Sequence, residues 1–174
     1  MKTLKILLVI AFVIFSGFSR ESQNGRTKEG IVVPMKVSCT ILPDDTGGLL
    51  TCTNNVPGID LRNSGFLAGN QTHGGKLITE QSTWQILRCR NDLADGGIIN
   101  TAEIVGENTV ANGDTYTYSC KMFTFIPSGR VILKVTLSGG TGRFEGATGV
   151  IDMTGVHMGS EIPCTGEGFI TFTK

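Results

Sequence analysis

From Ile31 to the carboxyl terminus the chain is a succession of short runs rich in Val, Ile, Thr, Phe and Tyr, broken by glycine and asparagine about every ten residues. Punctuation this regular, with no apolar stripe of helical period long enough for a helix, restricts the chain to an all-β fold. The clearest strand alternates Val131, Leu133, Val135 and Leu137 with Ile132, Lys134, Thr136 and Ser138, so one face is core and the other is largely wet. Ahead of it stands Asn112-Gly113, the dipeptide of a type I′ turn, whose two central residues both need positive φ. That turn launches a strand with Tyr116, Tyr118, Cys120 and Met122 on one side and Thr115, Thr117, Ser119 and Lys121 on the other. Ile31–Leu42, Leu49–Thr53, Gly65–Ala68, Lys76–Arg90, Ile98–Val105, Val150–Val156 and Gly166–Thr173 are the further strand runs.

An antiparallel set of this size must dispose of its edges, either by packing two sheets or by closing into a barrel. Glycine argues for closure. It supplies 24 of 174 residues, about twice ordinary usage. Gly155, Gly166 and Gly168 also fall inside expected strands, where the bends and bulges of a small barrel use them. A sandwich would keep most of its glycine in turns. The expected fold is therefore a single antiparallel eight-stranded β-barrel over residues 31–174, its interior packed or holding one small ligand.

Residues 1–19 read as a secretory signal peptide. Lys2 and Lys5 form the charged start, Ile6–Phe15 is unbroken and apolar, and Gly17-Phe18-Ser19 sets small residues at the cleavage positions. The alternative, an uncleaved anchor, needs about 20 apolar residues and this stretch is shorter. Residues 20–30 are polar and aperiodic and read as a flexible leader. Cleavage removes two of the 15 basic residues, leaving 13 against 15 acidic, a balance of −2. A near-neutral chain is no electrostatic nucleic-acid binder, and the mature part carries no membrane segment. The expected location is secreted or periplasmic.

All five cysteines lie in the exported part, where disulfides persist. Cys39 and Cys52 are symmetric about Asp45 and Thr46, the centre of the turn Pro43–Gly48, so a hairpin there would oppose them directly at bridging distance. A Cys39–Cys52 disulfide is the expectation, with two reduced cysteines as the alternative. The pairing of Cys89, Cys120 and Cys164 stays open. No CxxC occurs and the histidines are distant in sequence, so no metal site is expected.

The densest glycine run is Ser138–Gly149. A dinucleotide fingerprint would need glycine where Glu145 stands and a helix afterwards, so no cofactor is expected. Instead Gly139, Gly140, Gly142, Gly146 and Gly149 describe a tight, partly left-handed turn in which Phe144 plugs the barrel end. Gly69–Leu77 likewise fails as a phosphate loop, because Gly75 stands where the lysine is required.

The run Gly139–Gly149, with Ala111-Asn112-Gly113-Asp114 and Thr72-His73-Gly74-Gly75-Lys76, resembles a family of secreted bacterial proteins of unknown function. Their barrel is similar to that of plant allene oxide cyclase and dirigent proteins. The resemblance covers about Gly69 to Lys174. It implies a calycin-like barrel with a cavity and, from the plant relatives, a homo-oligomer. The plant cyclase steers ring closure of a fatty-acid epoxide and dirigent proteins orient phenoxy radicals. The matching residues here are turn residues, so no catalytic residue is carried over.

The remaining candidates rest on their own chemistry. His73 and His157 could act near neutral pH, although a histidine beside glycines is more often a turn residue that bonds a neighbouring strand. Glu80, Glu103, Asp114, Asp152 and Glu167 lie in or beside strands, so two could meet inside the barrel as an acid–base pair; their ordinary place is the solvated face. Trp84, Ile86 and Arg88 share one strand face, with Arg88 at the rim. The first functional expectation is a non-enzymatic module that binds a small apolar or aromatic ligand in the barrel. The alternatives are a cyclase or isomerase using a buried carboxylate and a structural surface protein.

Overall fold

A computed structural model describes residues 30–54 and 61–173. The signal peptide (1–19) and all of the leader except Gly30 lie outside the described residues. The strands are β1 (Ile31–Pro43), β2 (Leu49–Leu50), β3 (Leu61–Arg62), β4 (Ser64–Gln71), β5 (Gly75–Lys76), β6 (Thr83–Ala94), β7 (Gly97–Thr109), β8 (Thr115–Ile126), β9 (Arg130–Gly140), β10 (Thr148–Val156) and β11 (Ile162–Phe172). Two single-turn 3-10 segments, Thr79–Gln81 and Gly142–Phe144, accompany them.

Eight of these strands close into an antiparallel ring in the order β1-β4-β6-β7-β8-β9-β10-β11, with β11 returning to β1. Every pair in the ring is antiparallel and each strand follows its neighbour in sequence, the up-and-down arrangement that removes sheet edges. The thinnest seam is β4–β6, which pairs only Ser64, Gly65 and Phe66 with Gln85, Trp84 and Thr83. Glycine admits this closure: a Cβ on Gly168 would run into the Val150 carbonyl, and one on Gly65 would enter the Trp84 ring.

The expected alternation holds on β8 and β9. Tyr116, Tyr118, Cys120 and Met122 are buried, as are Val131, Leu133 and Leu137, while Lys121, Lys134 and Thr136 face out. Each large inward side chain contributes about 1.5–3 kcal/mol of transfer free energy. On β6 the expectation needs correction. Leu87 is an extra residue between the Ile86–Ile104 and Arg88–Glu103 pairs, so parity flips there. Arg88 consequently leaves the face of Trp84 and Ile86, pairs with Glu103 outside at 2.7 Å, and hands the inward position to Cys89.

The Cys39–Cys52 disulfide is also corrected. Cys52 is bonded to Cys89, while Cys39, Cys120 and Cys164 are free and buried. The run after Pro43 does not fold back on β1; it forms the two-residue pair β2–β3, and β1 takes β4 and β11 as partners. Cys39 therefore faces Gly69 and Cys164, whereas the segment of Cys52 lies beside the edge of β6 that β4 leaves unpaired, where Thr53 N–H donates to the Cys89 carbonyl and the Thr53 carbonyl accepts from Asn91 N–H (both 3.0 Å).

Candidate functional site

The strand order places the connections 44–48, 95–96, 127–129 and 157–161, with the β2–β3 pair, at one end of the barrel and 72–82, 110–114 and 141–147 at the other. The second end is sealed. Phe144 is fully buried against Tyr116 and Phe172, with ring centroids at 4.9 and 6.0 Å. Gly142 (φ 55°) and Gly146 (φ 65°) turn the chain on either side of it, in the left-handed region that glycine adopts freely. Segments 72–76, 111–114 and 139–149 meet here. The Asp114 carboxylate accepts from Arg143 N–H and Nε (both 3.2 Å) and from Asn112 (2.8 Å), and the Arg143 guanidinium reaches the His73 carbonyl. The Asn112 bond, with those from Arg143, holds the Asp114 carboxyl below its usual range. The glycine-rich connection is thus an end-cap; Gly139 and Gly140 belong to β9 and Gly149 to β10, on its two flanks.

Above the cap lies a cavity of about 380 Å³ inside the ring. Its waist is apolar, formed by Trp84, Ile86, Ile104, Met122, Leu133 and Met153. Its mouth is at the opposite end, where Pro43, Asp45, Leu61, Arg62, His157 and Ser160 surround it. Arg62 donates to the carbonyls of Asp45 and Gly47 (both 3.3 Å) and so ties the β2–β3 excursion across the rim. Desolvation at the rim pulls the His157 imidazole below its ordinary pKa.

Polar side chains on the wall are mostly spoken for. Trp84 Nε1 donates to the Phe66 carbonyl (3.1 Å) and Tyr118 OH to the Thr83 carbonyl (3.2 Å). Tyr116 OH donates to Gln71 Oε1 (2.7 Å) and accepts from Asn108 Nδ2 (2.8 Å). Among the described residues, Asn108 Oδ1 and Thr124 Oγ1 on the wall have no partner. The thiols of Cys39 and Cys120 also face this space, and burial pushes them up to about 11 and about 12, so neither is a nucleophile at neutral pH.

The five acidic candidates take the solvated face, and no acid–base pair of them forms inside the barrel. Asp152 and Glu167 do oppose each other across β10–β11, but both are exposed, and Asp152 takes Lys134 at 3.0 Å. Glu103 is bound outside by Arg88, Asp114 by Arg143, and Glu80 sits exposed in the 3-10 turn. The Nε2 of His73 bonds the Pro34 carbonyl on β1 (2.8 Å), a turn role; His157 reaches the mouth. No group of metal-ligating side chains occurs among the described residues. No helix among them is long and apolar enough to cross a membrane. Asn108 and Thr124 escaped the sequence reading, although Asn108 carried a signal: it continues the inward series Ala102, Ile104, Gly106 with a polar residue.

No protein-family model, curated protein or solved structure matches the chain.

Proposed function

We propose that this barrel is an exported binding module that takes one small, largely apolar or aromatic molecule through the mouth into its interior. The observation that carries this reading is the cavity itself: about 380 Å³ with an apolar waist, at the small end of ligand sites. The buried Cys52–Cys89 bond and the signal-like amino terminus support export to a secreted or periplasmic location. The resemblance to allene oxide cyclase and dirigent barrels belongs to the same reading. The binding reading is favoured over a cyclase because Glu103, Asp114, Asp152 and Glu167, candidates for an acid–base pair, are engaged or exposed outside the cavity. A ligand of about 20 non-hydrogen atoms at about 0.3 kcal/mol each would bind with a dissociation constant of tens of micromolar.

Titration with N-phenylnaphthylamine tests this. The probe is expected to brighten on entering the barrel, and Ile104→Trp, which fills the waist, is expected to abolish the signal while far-UV circular dichroism stays unchanged. A probe signal that survives in Ile104→Trp, or none in the native protein, overturns the reading.

A further inference from the structure

The closed end of the cavity holds a feature that an all-apolar ligand would leave unanswered. Asn108 is 6% exposed and lies on the cavity wall as the penultimate residue of β7, next to the closed end. Its amide is fixed by a relay: Asn108 Nδ2 donates to Tyr116 OH, which donates to Gln71 Oε1. That relay uses one amide atom of Asn108 and leaves Oδ1 without a partner among the described residues. If both amides were turned end for end, Tyr116 OH would donate to Asn108 and the orphan would be Nδ2 instead. A buried amide atom without a partner costs about 1–3 kcal/mol.

A hydroxyl both donates and accepts, so it satisfies either orientation; an ether oxygen or a carbonyl cannot satisfy Oδ1. Charge is disfavoured at this depth. The charged and titratable side chains Asp45, Arg62 and His157 stand at the mouth, and the Tyr116 and Tyr118 hydroxyls near Asn108 are already engaged. A carboxylate or ammonium at the inner end would be desolvated without a counter-charge. Resting on the binding reading above, we propose that the barrel selects uncharged alcohols, an apolar body entering hydroxyl first so that the hydroxyl seats on the Asn108 amide.

Displacement of N-phenylnaphthylamine from the purified protein by n-decanol, decyl methyl ether and decanoate tests the selection, because the three share one apolar body. The expected result is that n-decanol displaces the probe at a concentration about tenfold or more below the other two. Equal displacement by the ether, or tighter displacement by decanoate, overturns the alcohol assignment and leaves the binding reading standing. Failure of the probe and all three compounds to bind overturns both. In Asn108→Leu the alcohol preference is expected to fall to near unity; a preference still near tenfold overturns the role of Asn108. Should that variant not fold, a crystal structure of the native protein with n-decanol decides. The hydroxyl within hydrogen-bonding distance of the Asn108 amide supports the proposal, and an ordered water retained there in its place overturns it.

Discussion

Replacing Cys52 and Cys89 together by alanine removes the bond that ties the excursion after β1 to the inner face of β6. The sequence separation is 37 residues, and the chain-entropy expression for such a loop gives about 13 cal/mol/K, or about 4 kcal/mol at room temperature. On the native side Asn100 Nδ2 loses Cys52 Sγ at 3.3 Å but keeps Asn91 Oδ1 at 2.7 Å, and the two buried sulfurs removed cost about 1 kcal/mol each. With about 2.1 cal/mol/K of unfolding entropy per residue over about 145 residues, a combined loss of about 6 kcal/mol lowers Tm by about 20 °C. Thermal unfolding followed by circular dichroism without reductant measures this, with Cys39→Ala as the comparison. Cys39 is free and buried, so its truncation is expected to cost about 1 kcal/mol, the loss of a small apolar group. Thiol counting under denaturing, non-reducing conditions should give three reactive groups, from Cys39, Cys120 and Cys164. The reasoning fails if Cys39→Ala costs as much as the double variant, or if a peptide linking Cys39 to Cys52 is recovered after proteolysis.

Phe144→Ala empties the fully buried end-cap and separates Tyr116 from Phe172; urea unfolding should show a loss of about 4 kcal/mol, against about 0.5 kcal/mol or less for Phe169→Ala, which is 57% exposed. Gly168→Val puts a branched side chain where even a Cβ meets the Val150 carbonyl and the Ile151 backbone, and the expected outcome in the same assay is a loss of about 2 kcal/mol or more, or no folded protein. Burial raises the Cys39 thiol to about 11 and that of Cys120 to about 12 from an ordinary 9.0; the folded chain thus holds protons the unfolded chain has lost. Stability is complete below pH 9 and should fall by about 1.4 kcal/mol per pH unit per thiol as pH rises toward the folded values. Cys120→Ala should flatten that alkaline slope, and an unchanged slope would count against buried neutral thiols.

What the sequence made legible was local. The alternations through Tyr116–Met122 and Val131–Leu137 are properties of single strands, and both faces came out as read. Phe144 as a plug and His73 as a turn residue bonding a neighbouring strand were likewise readable, because glycine at φ 55° and 65° isolates the aromatic ring between two turns. Parity fails as soon as one residue is inserted. Leu87 contributes nothing to a periodicity count, yet its bulge sends Arg88 outside and Cys89 inside, and so creates the disulfide position.

The cysteine pairing was illegible for a reason that follows from closure. Symmetry about a turn identifies opposed residues only if the next apolar run folds back on the first, and in a ring the choice of partner belongs to the whole circuit. A wall strand of 13 residues needs long neighbours on both sides, and Leu49–Thr53 offers five positions, of which only Leu49 and Leu50 pair as strand. The run after β1 therefore enters the short β2–β3 pair at the mouth before β4 takes the place beside β1, while β11 arrives from the far end of the sequence. The same circuit accounts for the orphan on the wall. Asn108 sits at an inward position of β7, Tyr116 at its partner position on β8, and Gln71 reaches them from β4 across the closed end. Three residues separated by as much as 45 positions thus hold one amide atom at the floor of an apolar cavity. Under the alcohol-binding proposal that atom is the one a ligand hydroxyl bonds, which ties the barrel's closure to the chemistry of what it is proposed to hold.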